Sequence, residues 1–220
     1  MTSILWPEGF SVEPLGRLHK RLHKRSDFFS GVDAVDQWLK TGARQSQEKR
    51  LSVTRVLVKT PDCIAGFYTL AMGEVSFDEL PHEMARRLSA TLLPIVTLAW
   101  LGLAKPYQGQ GLGGRLPAQA LSDCHSTGLM MPYVAVCLDC ASRNAKTFYQ
   151  LYDFQELPGH PMTLMLPWNL LEAMMKREAR VSGKRDRMPL QMPGFNSRSG
   201  HSQGFRPISP FLKPESEAGV

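Results

Sequence analysis

The sequence predicts a mixed α/β fold with a mostly antiparallel central sheet flanked by helices. In its first half, Ser52–Lys59 and Ile64–Met72 are rich in β-branched and aromatic residues, and a Pro-Asp turn separates them, which is typical of a hairpin. In its second half, the apolar segment Pro94–Lys105 is followed by a glycine-rich turn, a helical pattern and the apolar segment Tyr133–Leu138. This order predicts a β-α-β unit beside the antiparallel half.

Each predicted element has its own signal in the chain. Apolar residues recur on one face of Val32–Arg50, which predicts a helix. The largely apolar Pro94–Lys105 is typical of a strand that is buried on both faces. The predicted strands are Phe10–Leu15, Ser52–Lys59, Ile64–Met72, Pro94–Lys105, Tyr133–Leu138 and one or two strands within Phe154–Leu166. The predicted helices are Val32–Arg50, Asp78–Leu88, Gly109–Thr127, Ser142–Leu151 and Trp168–Lys176.

The last part of the chain differs from the rest in composition. It is rich in Gly, Ser and Pro, and from Lys176 onward its charges sum to +5 out of a total of +6. We therefore predict one domain over residues 1–177 and a basic, disordered tail over 178–220. Such a tail suits a polyanion such as RNA or DNA, and it is also typical of a solvated end that only keeps a chain soluble.

Composition and cysteine content argue against several classes of protein. No run approaches the roughly 18 apolar residues that a membrane span needs, and Met1–Gly16 lacks the pattern of a secretion signal. Four scattered cysteines are too few for a disulfide scaffold, so we expect a cytoplasmic protein. Neither the pair Cys137-x-x-Cys140 nor the six histidines have the spacing of a metal site, and we expect no metal.

The segment Leu98–Gly114, which reads LAWLGLAKPYQGQGLGG, predicts an anion-binding turn. Glycines allow positive φ and close approach of a ligand, and free N–H groups at the start of the next helix attract phosphate. The lysine and hydroxyl residue of a P-loop are absent, and a dinucleotide-binding unit should begin the domain. A pyrophosphate is therefore the expected ligand of this turn. The alternative is a glycine-rich turn that binds no ligand.

The pattern Q-x-x-G-x-G after a buried strand resembles the coenzyme A loop of the GNAT N-acetyltransferases. The segment Asp139–Phe154 resembles a second GNAT pattern, N-x-x-A-x-x-[FL]-Y-x-x-x-G-F, through Ala145, Phe148, Tyr149 and Phe154. Both segments stand in the order that the family has. The resemblance implies the GNAT fold, with acetyl-CoA as acetyl donor.

Further motifs make the chain similar to the GNAT toxins of bacterial type II toxin–antitoxin modules, over roughly residues 10–167. They are Phe28–Leu39 (FFSGVDAVDQWL), Gly66–Leu70 (GFYTL), Leu80–Leu88 (LPHEMARRL) and Tyr107–Gly113 (YQGQGLG). This resemblance implies transfer of acetyl from acetyl-CoA to the α-amine of an aminoacyl-tRNA, which blocks translation. It also implies a ribbon-helix-helix antitoxin as partner, and a homodimer.

The same resemblance implies roles for individual residues. Tyr149 is implied to be the general acid for the departing thiolate, with a core aromatic as the alternative. Ser142 stands where many GNAT members have an asparagine that contacts the cofactor, with a helix cap as the alternative. The residues implied to hold the pantetheine arm through their backbone are Leu101, Gly102 and Leu103. Those implied to hold the pyrophosphate are Gln108, Gly109, Gln110, Gly111, Leu112, Gly113 and Gly114.

Four basic residues are the candidates for contacts with the acceptor: Lys20, Arg21, Arg86 and Arg87. An aminoacyl-tRNA needs phosphate contacts, and arginine and lysine provide them. For each residue a solvated surface charge is the alternative.

Three sites depart from the family pattern. Pro117 lies inside the helix after the turn, where proline removes a hydrogen bond and clashes with a carbonyl at a cost of about 3 kcal/mol. Asp153 replaces a glycine, and Ala99-Trp100 replaces Gly-Arg. The departures leave two alternatives to the toxin: a GNAT enzyme acting on a protein or small-molecule amine, and a catalytically weakened GNAT scaffold with a binding role.

Overall fold

A seven-stranded sheet forms the centre of the protein in a computed structural model, which describes residues 4–16, 25–60, 63–76, 80 and 92–182. Its strands are β1 (Phe10–Pro14), β2 (Ser52–Lys59), β3 (Cys63–Ser76), β4 (Leu92–Leu103), β5 (Ala135–Asp139), β6 (Gln155–Leu157) and β7 (His160–Pro167). Its α-helices are α1 (Asp33–Gln37), α2 (Ala43–Glu48), α3 (Leu112–Gly128), α4 (Arg143–Gln150) and α5 (Trp168–Ser182). A π-helical turn, Trp38–Gly42, joins α1 to α2, and a short 3-10 turn, Lys105–Tyr107, follows β4.

The order of strands in the sheet is β1-β2-β3-β4-β5-β7-β6. Strands β1 to β4 pair with their neighbours in antiparallel fashion. β4 and β5 pair in parallel, with α3 as the crossover between them, and β7 pairs with β5 and β6 in antiparallel fashion. The predicted fold class, an antiparallel half followed by a β-α-β unit, is confirmed.

The sheet buries side chains on both faces, because alternate residues of a strand point to opposite sides. Val56 and Phe67 pack into a core that includes Val35 of α1. Their neighbours Leu57 and Tyr68 pack into a second core with α3 and α5. The two helical layers are therefore fixed to opposite faces of β2 and β3.

The parallel strands β4 and β5 separate after a short contact. They pair only from Ile95, opposite Ala135, to Thr97, opposite Cys137. Beyond Thr97, β4 continues to Leu103 and remains paired with β3. The sheet thus opens along one edge of the second half of β4.

A β-bulge lies at the start of this opening. Trp100 is opposite Thr69 and Leu98 is opposite Leu70, so Ala99 is an extra residue on β4. The bulge changes which side chains face each layer. Trp100 packs in the core with α1, whereas Leu98 and Leu101 pack in the core with α3.

Several element ends differ from the predictions. β3 continues past the predicted Met72 to Ser76, and α5 continues past Lys176 to Ser182. The predicted Val32–Arg50 helix is present as α1, the π-helical turn and α2. The predicted helix Asp78–Leu88, apart from the buried Leu80, and the Pro61-Asp62 turn lie outside the described residues. Residues 183–220 also lie outside them, so the domain end at residue 177 stays a prediction. Among the described helices, none combines the length and apolar character that a membrane span requires.

Candidate active site

The glycine turn leads directly into α3. Gly109 and Gly111 have φ of 76° and 75°, a left-handed conformation that favours glycine. Gly111 precedes the first residue of α3, and among the described residues no side chain caps the helix there. The N–H groups of Gly111 and the next three residues lack partners within the helix, as at any helix start. Four N–H donors and the positive end of the helix dipole therefore meet at this turn.

The space around the turn is open. A Cβ added to Gly109 or to Gly111 would meet no atom of the part of the chain that the structure describes within 4 Å. Both glycines are exposed. An anion can therefore approach the backbone of the turn closely.

The open edge of β4 ends at the same turn. Ala104 donates its N–H to Ala65 at 2.8 Å, which fixes the alternation of hydrogen bonds between β3 and β4. By that alternation Gly102 bonds to β3, while Leu101 and Leu103 direct their N–H and C=O groups away from it. These groups point to the side where β5 has separated. Two of the three residues predicted to pair with the pantetheine arm therefore present backbone groups to the opening.

Gln108 has its three N–H donors engaged within the chain. Its side-chain amide donates to the carbonyls of Ser30 and Leu103, both at 2.9 Å. Its backbone N–H donates to Lys105 at 3.2 Å. By contrast, Gln110 is exposed, and its side chain donates to the nearby Pro106 carbonyl at 2.6 Å. The resemblance to the GNAT loop implied that Gln108 helps to hold the pyrophosphate, and that role stays a prediction. Its contact with Ser30, which is 78 residues away in the chain, could not be identified from the sequence.

Tyr149 lies on α4 and is half-buried against the core that contains α3. Its ring makes edge contacts with Phe148 and Phe154, at centroid distances of 5.2 and 5.6 Å. Burial raises the pKa of the Tyr149 phenol, and Cys140 and Tyr152 raise it further. The phenol is therefore protonated at neutral pH, which is the form that a general acid requires.

The start of α4 is fixed by Ser142. Its hydroxyl accepts a hydrogen bond from the Ala145 N–H at 3.2 Å, which is the geometry of an N-cap. Of the two alternatives for Ser142, the structure shows the helix cap, while a contact with the cofactor remains a prediction. The cap sets where Tyr149, two helical turns later, lies relative to β5.

The three departures from the family pattern have distinct consequences. Asp153 has φ of 62°, so the residue that replaces a glycine does occupy a left-handed conformation. Pro117 is buried inside α3, which continues through it. Trp100 is 6% exposed and stacks on Trp38. The side chain at position 100 is therefore part of a core.

The predicted acceptor contacts Lys20, Arg21, Arg86 and Arg87 lie outside the described residues. Within the residues that are described, no group of three or more His, Cys, Asp or Glu side chains could hold a metal ion.

Comparison with known proteins identifies toxins as relatives. No family model matches the chain. A probable toxin TacT of Sinorhizobium fredii is 29% identical over 176 residues, which cover 74% of this chain and 94% of the relative. A tRNA-acetylating toxin of Mycobacterium tuberculosis is 29% identical over 142 residues, which cover 64% of this chain and 84% of the relative.

Solved structures share the fold. AtaT complexed with acetyl-methionyl-tRNAfMet superposes with a TM-score of 0.69 at 24% identity, over 76% of this chain and 99% of that chain. A tyrosine-to-phenylalanine mutant of AtaT, bound to the C-terminus of the antitoxin AtaR and acetyl-CoA, has a TM-score of 0.63 at 22% identity, over 76% and 99%. The resemblance predicted from the motifs is confirmed: the chain has the GNAT fold and is similar in sequence to toxins of this fold, one of which is named for acetylating tRNA.

Proposed function

We propose that the chain is an acetyl-CoA-dependent N-acetyltransferase toxin of a type II toxin–antitoxin system. It acetylates the α-amine of an aminoacyl-tRNA in the cytoplasm and thereby blocks translation. The observation that carries the proposal is the open edge of β4, which ends at a glycine turn and at the uncapped start of α3. The two toxin relatives support it, because each matches over most of its own length.

The residues at the opening fit acetyl-CoA. The space at Gly109 and Gly111 leaves room for a pyrophosphate beside the N–H groups of the turn. Leu101 and Leu103 present backbone groups that suit the amides of a pantetheine arm. When bound, acetyl-CoA supplies the acetyl group as a thioester.

The departing sulfur needs a proton, and we assign its donation to Tyr149. The raised pKa keeps the phenol protonated at neutral pH. The Tyr149 hydroxyl makes no hydrogen bond to any described residue of the chain, so its proton is available to a ligand. The Ser142 cap and the edge contacts with Phe148 and Phe154 hold the ring in place.

The acceptor and the protein partners complete the proposal. Lys20, Arg21, Arg86 and Arg87 contact phosphates of the tRNA, which makes its binding strongly dependent on salt. The antitoxin is a ribbon-helix-helix protein, and the toxin is a homodimer. The AtaT structure with its antitoxin supports an antitoxin partner for this chain.

The test is induced expression in a bacterial host, with translation followed by amino-acid incorporation. Wild type is compared with Tyr149→Phe and with Tyr152→Phe, a control that removes a hydroxyl from the residue one turn further along. We expect arrest by wild type and by the Tyr152 variant, and none by Tyr149→Phe. Arrest by Tyr149→Phe at the wild-type level would show that Tyr149 has no part in the mechanism. Growth in all three strains, with soluble protein in each, would overturn the proposed toxin function.

Trp100 favours a second candidate function, an acetyltransferase for a protein or small-molecule amine. The toxins that the chain resembles have Gly-Arg where this chain has Ala99-Trp100, and Trp100 is buried on Trp38. This position therefore offers no charge to an RNA. To separate the two functions, the purified protein is incubated with radiolabelled acetyl-CoA and a mixture of charged tRNA and lysate proteins. Label in the tRNA fraction would support the toxin, and label in the protein fraction would support the second candidate.

A further inference from the structure

A chain of hydrogen bonds joins α1 to the end of β4. The Asp36 carboxylate accepts the Ser30 N–H at 2.8 Å and the Ser30 hydroxyl at 2.6 Å. The Ser30 carbonyl accepts the Gln108 side-chain amide, which also donates to Leu103 at the end of β4. Ser30 and Asp36, six residues apart, thus connect the helical layer to Gln108, which is 78 residues beyond Ser30 in the chain.

The first two members of this chain are deeply buried. Asp36 is 4% exposed and Ser30 is 7% exposed. A buried polar group is costly unless it is hydrogen-bonded, so these bonds are strongly maintained. The segment before α1 is therefore a firm attachment point for Gln108.

Two further contacts hold the same segment against β4. Lys105 donates its N–H to the Phe29 carbonyl at 2.8 Å. A Cβ on Gly102 would lie 2.6 Å from Val35, so α1 rests directly on the backbone of β4 at this glycine. The turn after β4 is thus fixed at both sides, by the strand and by the segment before α1.

We infer that Asp36, Ser30 and Gln108 position the glycine turn for acetyl-CoA, and that Gln108 acts through this clamp and not as a pyrophosphate ligand. The inference rests on the proposed use of acetyl-CoA. Its basis is that the two side-chain N–H groups and the backbone N–H of Gln108 are already donated to carbonyls. Without the clamp, residues 109–114 lose the tie that sets their distance from the open edge of β4.

The variant that tests the clamp is Gln108→Met, which keeps the length of the side chain and removes its donors. The matched control is Gln47→Met. Gln47 also bridges two backbone groups, donating to Leu15 at 2.5 Å and accepting from Thr54 at 3.0 Å, and both of these groups are remote from the turn. Both variants lose a clamp of the same chemistry, so a general loss of stability affects both.

The first readout is amide hydrogen exchange of residues 109–114 in the protein without acetyl-CoA. We expect Gln108→Met to accelerate exchange there about 10-fold, and Gln47→Met to leave it unchanged. The second readout is the Kd for acetyl-CoA by calorimetry, which we expect to rise about 10-fold in Gln108→Met alone. A higher Kd with unchanged exchange would make Gln108 a ligand and overturn the inference.

Asp36 gives an independent test of the same chain. Asp36→Asn keeps an acceptor for the Ser30 N–H, whereas Asp36→Leu has none. We expect the leucine variant to reproduce the faster exchange of residues 109–114 and the asparagine variant to restore slow exchange. Equal exchange in both variants would contradict a role for Asp36 in positioning the turn.

A measurement on the wild-type protein needs no variant to fold. By NMR, the side-chain amide protons of Gln108 should exchange with water more slowly than those of the exposed Gln45. Equal rates would overturn the clamp. If wild type binds no acetyl-CoA, the proposed function fails, while the exchange measurements still decide whether Gln108 holds the turn.

Discussion

The indole of Trp38 lies flat on the indole of Trp100, with ring centroids 5.0 Å apart and ring planes 11° apart. Trp38 begins the π-helical turn, and Trp100 follows the bulge in β4. Trp38 also donates its indole N–H to Thr69 at 3.1 Å, and the Thr69 hydroxyl lies 2.9 Å from that of Thr54. The stack therefore joins the helical layer to β4 at the point where the sheet opens.

We predict that this pair is energetically coupled. In a double-mutant cycle of Trp38→Leu and Trp100→Leu, the coupling free energy should be about 1 kcal/mol, because leucine keeps apolar burial but removes ring stacking. Urea denaturation of the four proteins gives the value. Additivity of the two single changes to within about 0.5 kcal/mol would show that the stack adds nothing beyond burial.

Loss of the Tyr149 hydroxyl should affect the rate and leave cofactor affinity unchanged. Tyr149→Phe is expected to lower kcat by about 10²- to 10⁴-fold, the usual contribution of a general acid, with the Kd for acetyl-CoA unchanged. Burial raises the pKa of Tyr149, so ionisation of this phenol should not reduce the wild-type rate between pH 7 and about 10. Initial rates across this pH range, with Tyr152→Phe as the control, test both statements.

Removal of the Tyr152 hydroxyl should stabilise the protein. Tyr152 is 6% exposed, and its hydroxyl is buried without a hydrogen-bond partner among the described residues. A buried polar group without a partner costs about 1–3 kcal/mol. We expect Tyr152→Phe to raise the free energy of unfolding by about 1 kcal/mol, measured by urea denaturation. A decrease would mean that this hydroxyl has a partner in solution, such as a bound water.

The sheet and most helices could be predicted because their signals are local. Alternation in Ser52–Lys59 and the apolar run at Pro94–Lys105 need only neighbouring residues to be read. The predicted end of β3, at Met72, was wrong for a physical reason. Gly73 interrupts the strand pattern, but a Cβ there would lie 3.2 Å from the Thr97 hydroxyl oxygen, so the glycine permits close packing and the strand continues.

Features that depend on distant contacts could not be predicted. The bulge at Ala99 and the separation of β4 from β5 are set by pairing with other strands. The motif around Asp36 was visible in the sequence, but its task was not, because Gln108 meets Ser30 only in the folded chain. Local patterns indicated where the turn lies, and the tertiary contacts determine what holds it.

The backbone at Asp153 predicts an order of stability. At φ of 62°, glycine is unstrained, aspartate is tolerated, and alanine is the least favourable of the three. Asp153→Gly should therefore be about 0.5–1 kcal/mol more stable than wild type, and Asp153→Ala less stable. Arg50, at φ of 60°, is the matched site where Arg50→Gly should change stability in the same direction. Denaturation midpoints give the order, and a more stable Asp153→Ala would contradict it.

Alkaline pH should destabilise the protein through the buried thiol of Cys124. The Cys124 side chain is fully buried, and burial raises the pKa of its thiol. The nearby charge of Asp123 raises this pKa further. In the unfolded chain a thiol ionises near pH 8.5, so the unfolded state gains stability above that pH while the folded thiol stays neutral. The contribution of the Cys124 thiol to the free energy of unfolding is thus fully present below about pH 8.5, and it falls by about 1.4 kcal/mol per pH unit above that pH. The free energy of unfolding, measured from pH 7 to 10, should fall less steeply in Cys124→Ala than in wild type. Parallel curves for the two proteins would show that Cys124 ionises in the folded state as readily as in the unfolded chain.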